Sequence, residues 1–193
     1  MSNSTPYVMD DHKIITGTTE QEVWETIEAD LAAEGELLDY NVMIEQDGHQ
    51  IELYIDIDLG GGFESGSELT QLVAPLSVTR DFKFAIHHED FLDSIGKFFG
   101  LEDVKTGYPE LDDHVVIKTN APDKVRTLFA DATLRNVFTT LEDFDFGIHS
   151  HHLEDSDSDQ PFLEFNINQG ITDADELRKI YHAFYAVLVG LEN

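Results

Sequence analysis

The sequence predicts an α+β fold, a mainly antiparallel sheet covered by helices. Three observations carry this reading. Asp47-Gly48 sits between two runs that alternate apolar and polar residues, the pattern of a tight hairpin whose turn tolerates positive φ. Several segments carry apolar stripes at helical spacing. Strands and helices follow one another without regular βαβ alternation, which argues against a parallel sheet.

The elements follow in chain order. Residues 1–17 are polar and read as a loosely ordered tail, with residues 18–193 as one α+β domain. Thr19 and Glu22 have the T-x-x-E spacing of a capping box, and Val23, Trp24, Ile27 and Leu31 form one stripe on a helix over 19–34. The Asp47-Gly48 turn fixes the next register: Gln46 faces His49, Ile44 faces Ile51, Val42 faces Leu53 and Tyr40 faces Ile55. Asp39 opposite Asp56 is a like-charge pair, so that end is expected to fray. Residues 69–78 read as an edge strand, since Pro75 cannot donate to a ladder. Phe82, Phe84 and Ile86 alternate as a strand, residues 89–99 fit a short helix, Tyr108-Pro109 starts a turn, and residues 114–119 form a strand. Pro122 begins one helix and Asp131 caps the next. Phe144, Phe146 and Ile148 alternate, as do Phe162, Glu164/Phe165 and Ile167, around an acidic loop over 154–161. Thr172 caps a final helix striped by Leu177, Ile180, Tyr181, Phe184, Val187, Leu188 and Leu191. Helix followed by hairpin occurs twice, at 19–62 and 131–170, which suggests duplicated lobes.

Charge narrows the function classes. The chain has 40 Asp+Glu against 11 Lys+Arg, a net charge of −29, and no Cys. Nucleic acid and anionic membranes need clustered cations, so neither is an expected partner. Without Cys there is no thiol nucleophile, disulfide framework or Cys-based metal site. The N-terminal residues have no basic start followed by an apolar run, and no stretch approaches a membrane span, so a cytoplasmic location is expected. The acidity itself reads as a solubilising, salt-tolerant surface or as a face for a basic partner.

Few residues suggest chemistry. His149 and His151 lie two apart on a strand and share a face; joined by the His87-His88 pair they would supply imidazoles for a transition metal. The plainer reading makes them exposed polar residues opposite the Phe146/Ile148 face. Asp155, Asp157 and Asp159 resemble the start of a calcium loop, but Gln160 replaces the turn glycine and Asn166 the closing Glu. That leaves weak divalent-cation binding at most, and no other cofactor is expected. Gly60-Gly61-Gly62 lacks the Lys and Ser/Thr of a phosphate loop. With so many carboxylates, any acidic pair in the sequence is uninformative, and no catalytic residue is assigned. Tyr181, Phe184, Tyr185 and Leu188 form a broad aromatic arc that would suit a protein partner or a homodimer, or else a helix sandwiched in the core.

Four stretches resemble an uncharacterised bacterial family: Gly96-Lys97-Phe98-Phe99-Gly100, Pro109-Glu110-Leu111-Asp112, Val116-Ile117-Lys118-Thr119-Asn120, and Gly170-Ile171-Thr172-Asp173 before a long helix. The resemblance spans roughly Thr79–Leu191. It implies no established activity and brings no site residues. The expectation is therefore a non-enzymatic binding or interaction module with an acidic surface. The rivals are a small metal-dependent or carboxylate-using hydrolase, favoured by a pocket joining His87 or His88 to His149 and His151, and a saline-adapted structural protein with no specific ligand.

Overall fold

In the computed structural model of the chain, residues 13–33, 37–60, 66–77, 81–88, 101–152 and 159–192 are described. The elements are β1 (Lys13–Gly17), α1 (Glu20–Ala33), β2 (Asp39–Gln46), β3 (His49–Asp58), β4 (Ser67–Pro75), β5 (Phe84–His88), β6 (Glu102–Val104), α2 (Pro109–Asp112), β7 (Val115–Thr119), α3 (Pro122–Leu128), α4 (Ala132–Thr140), β8 (Phe144–His152), β9 (Asp159–Ile167) and α5 (Ala174–Glu192). The strands form one sheet in the order β1-β2-β3-β4-β9-β8-β5-β7-β6. Among the described residues only β1–β2 pairs in parallel.

The hairpin register follows the turn: Gln46↔His49, Ile44↔Ile51, Val42↔Leu53 and Tyr40↔Ile55 are partners. Asp47 and Gly48 both hold positive φ, 48° and 85°, as a primed turn requires. The ladder continues through Asp39↔Asp56 without fraying, closed by a bond from Ile57 N to Leu38 O (2.7 Å). The capping box also forms: Thr19 Oγ1 accepts from Glu22 N, and Glu22 Oε2 from Thr19 N, both at 3.3 Å.

Three further expectations are corrected, and one strand is added. Residues 13–17 are strand, not tail, because Ile15 reaches the core and β1 runs along β2. β4 is central, between β3 and β9. Pro75 is its last residue, so the missing donor falls where the strand ends, and Leu76 N donates to Pro161 O (3.0 Å) just beyond. Asp173, not Thr172, caps α5, accepting from Glu176 N at 2.9 Å. β6 is a strand that no alternation announced. The helix expected over 89–99 lies outside the described residues. Both helix–hairpin units exist, α1-β2-β3 and α4-β8-β9, on either side of β4.

Helices cover one face of the sheet. Beneath them Phe138 stacks on Phe165 (centroids 5.3 Å apart), and Phe146 meets Phe165 at 4.8 Å. Trp24 and Tyr181 extend this core, 5.7 Å apart and fully buried.

The stretches behind the family resemblance are joints of this frame. Pro109 opens α2, Leu111 is buried, and Glu110 accepts from Nε of the buried Arg135 (2.7 Å), whose guanidinium lies over the Tyr108 ring. Asn120 accepts from Lys83 N at 2.9 Å. Gly170 N donates to Glu68 Oε2 and Ile171 N to Thr70 Oγ1, both at 2.9 Å. Gly96–Gly100 lies outside the described residues.

Asp112 accepts from Thr106 N (2.9 Å), Thr106 Oγ1 (2.8 Å) and Gly107 N (2.8 Å). Burial alone would raise its pKa; these bonds outweigh it and hold the carboxyl below its ordinary 3.8. A lowered folded pKa means stability that is present above the unfolded value and lost as pH falls through the folded one. Asp112→Asn keeps Thr106's partner but turns an amide toward Gly107 N–H. It is expected to cost about 1–3 kcal/mol in urea unfolding at pH 7, and the gap from wild type should shrink below the ordinary carboxyl range. A gap independent of pH would show that the charge is not what counts.

Candidate functional site

Two features outside the aromatic core merit chemical reading. The first is a groove of about 1040 Å³ where the end of β1, the β2–β3 turn, the end of β4 and the C-terminus of α5 meet. Its lining includes Glu22, Glu45, Asp47 and Glu192, with His49, Ser77 and Leu188, and among the described residues no Lys or Arg. Glu22 takes bonds from Thr18 N and Oγ1 (2.8 and 2.9 Å), which hold its carboxyl below the usual range and keep it ionised. Glu192 contacts His49 Nε2 (2.9 Å) and accepts from Ser77 Oγ (3.0 Å). Glu192 lies at the negative end of α5, a 19-residue helix with no basic residue in its last turn. Behind the wall, Tyr181 donates to the buried Gln46 (2.8 Å), and Tyr185 meets the His49 ring edge-on at 5.5 Å. Burial, with help from Asp47, pushes the Tyr185 phenol up.

The second feature lies on the sheet face opposite the helices. Period-2 geometry dictates its membership. Phe144, Phe146 and Ile148 point to the helices, so Asp145, Gly147, His149 and His151 share the other face. The ladders set Glu164 opposite Gly147 and His87 opposite Asp145. His87, Asp145, His149 and Glu164 are 3%, 1%, 7% and 6% exposed.

The space over Gly147 lets these groups meet. Asp145 Oδ2 lies 3.1 Å from His149 Nε2, across a position with no side chain. Glu164 Oε2 is 3.9 Å from His149 Nδ1, and its Oε1 pairs with His151 Nε2. His87 Nδ1 lies 2.9 Å from the carbonyl oxygen of His88. A carbonyl only accepts, so Nδ1 holds the proton, and in the neutral ring Nε2 keeps its lone pair. That Nε2 and Asp145 Oδ1 are buried without a hydrogen-bond partner.

The histidine expectation is thus partly met and partly corrected. His87, His149 and His151 share one face, but His149 is buried and not exposed, packed beside Asp145 and beside Glu164 of the neighbouring strand. His88 faces Val115 on the helix side and does not join them. Among the described residues no three His, Asp or Glu side chains are already arranged around a metal position. Asp159 opens β9 and pairs with the exposed His152 at 3.3 Å; Asp155 and Asp157 lie outside the described residues. Tyr181, Phe184 and Leu188 are 0%, 0% and 1% exposed, so they build the core and offer no outward face; Tyr185 alone is half-buried beside the groove. Asp145 and Glu164 were missed as site residues. Their signal was positional: a polar residue alternating with Phe on each strand.

An added Cβ on Gly147 would lie 2.4 Å from Phe84 O and 2.9 Å from Ala85 Cα. Both obstacles are backbone, so β5 and β8 would have to separate. Gly147→Ala is expected to lower stability by about 1–3 kcal/mol, read by thermal unfolding with Trp24 emission, and to loosen the Asp145–His149 contact. A neutral Gly147→Ala would mean the strands have slack there.

Compared with protein-family models, curated proteins and solved structures, the chain has no match.

Proposed function

We propose that this protein is a non-enzymatic binding module whose acidic groove takes a Lys- or Arg-rich segment of a partner protein. The observation that carries the reading is the groove itself: among the described residues, four carboxylates and no Lys or Arg in one concavity, at the negative end of a long helix. A cation entering it meets opposite charge from three chain segments at once. Glu45 and Asp47 are suited to contact. Glu45 is held only by Gln50 Nε2 at 3.3 Å, and Asp47 sits at the exposed hairpin tip.

The hydrolase reading required a pocket joining His87 or His88 to His149 and His151. His87 and His149 do share a buried face, while the groove lies elsewhere. The binding reading is therefore preferred.

A chain so acidic attracts any polycation, so the test must separate site from background. Fluorescence anisotropy with a labelled Lys/Arg-rich peptide is expected to show saturable binding that weakens steeply with salt. Glu45→Gln with Asp47→Asn should weaken it at least tenfold, since Asn keeps the positive-φ turn. Glu102→Gln with Asp123→Asn, near the other sheet edge, should leave it unchanged. Equal losses from both pairs would reduce the binding to diffuse charge and defeat the groove.

A further inference from the structure

We infer that the buried face of β5, β8 and β9 holds a first-row transition-metal ion between His87 Nε2, Asp145 and His149 Nε2. Three lines of geometry converge on it, independently of the groove.

The first is unmet bonding capacity. Asp145 Oδ1 and His87 Nε2 are buried with no hydrogen-bond partner, on residues that face each other across the β5–β8 ladder. Buried polar atoms are almost always satisfied, so two orphans side by side point to something that accepts lone pairs. A proton shared by Asp145 and His149 leaves the His87 lone pair unmet, and a proton on His87 Nε2 finds no acceptor within hydrogen-bond reach in this arrangement.

The second is spacing. Two ligands about 2.0–2.1 Å from a tetrahedral ion stand about 3.3 Å apart. Asp145 Oδ2 and His149 Nε2 are 3.1 Å apart, already near that edge length. The third donor, His87, has yet to close on the pair, since no three described side chains surround a common point. Binding is therefore expected to turn the His87 ring.

The third is the outer layer. His87 Nδ1 is anchored on the His88 carbonyl, and a carboxylate, Glu164, stands 3.9 Å from His149 Nδ1. A metal-ligating imidazole characteristically has such an acceptor behind its other nitrogen. Glu164 in turn pairs with His151. The cluster places two carboxylates in a buried setting, where a dication offsets charge that burial makes costly. Two imidazoles and one carboxylate suit Zn²⁺, Co²⁺ or Ni²⁺ better than Ca²⁺ or Mg²⁺.

The test uses Co²⁺ as a visible probe on chelator-treated full-length protein, with Zn²⁺ as competitor. One Co²⁺ per chain is expected, giving visible d–d bands that Zn²⁺ erases. His87→Gln and Asp145→Asn should each weaken binding at least tenfold. His152→Gln, His182→Gln and the triple change Asp155→Asn, Asp157→Asn, Asp159→Asn should not. Should a cluster variant fail to fold, the wild type still decides: Co²⁺ must shift or broaden the His87 and His149 imidazole resonances selectively. Absent bands, bands retained in His87→Gln and Asp145→Asn, or resonance shifts centred on other histidines would overturn the site.

Discussion

Phe146 against Phe165, 4.8 Å apart beneath Phe138, is the contact on which the rest depends. Side chains alternate along a strand, so fixing these rings under the helices fixes which residues leave by the opposite face. Asp145, Gly147 and His149 on β8, and Glu164 on β9, are sent there together. A one-residue slip of β8 would drive Asp145 into the aromatic core, and a slip of β9 would do the same to Glu164, each against a large desolvation cost. The strength of the core thus secures an arrangement of polar groups that would not assemble by itself. Gly147 completes the device: by presenting no side chain, it lets β5 approach β8 and lets Asp145 reach His149.

The negative charge of the chain has two fates. Many carboxylates are held by specific partners, as Asp30 is by Lys13, Asp103 by Lys118 and Glu110 by Arg135. The more exposed of these pairs, such as Lys13–Asp30, add little stability; their contribution is to occupy some of the few cations. Among the others, Glu22, Glu45, Asp47 and Glu192 line the groove, where segments from distant parts of the sequence meet. Repulsion within such a concavity disfavours the fold locally, and under the proposed function the same charge would supply the attraction for a cationic partner.

Local chemistry made much of the fold legible. The Asp47-Gly48 turn gave every pair of the β2–β3 ladder, and Thr19 with Glu22 gave the start of α1, because both are decided by neighbours in sequence. What stayed hidden depends on distance. Pro75 marks an edge only where a strand continues past it, and β4 stops there. The alternation of β8 identified His149 and His151 as face-mates, but the burial of His149 depends in part on Glu164 of β9, a neighbour that no spacing within β8 reveals. His87, Asp145 and Glu164 come from three strands, so no spacing within one segment could join them. The stretches Pro109–Asp112 and Gly170–Asp173, on which the sequence reading placed a family resemblance, are structural joints and carry no chemistry of their own here.

If the second face of the sheet is organised around aimed lone pairs, and is not a chance collection of buried polar groups, the tautomer of His87 is fixed. Long-range ¹H–¹⁵N NMR of the histidine side chains in metal-free protein at pH 8 reads it directly. The account predicts that His87 carries its proton on Nδ1, held by the His88 carbonyl, with a bare Nε2. A proton found on Nε2, or a ring averaging rapidly between both forms like an exposed histidine, would contradict it.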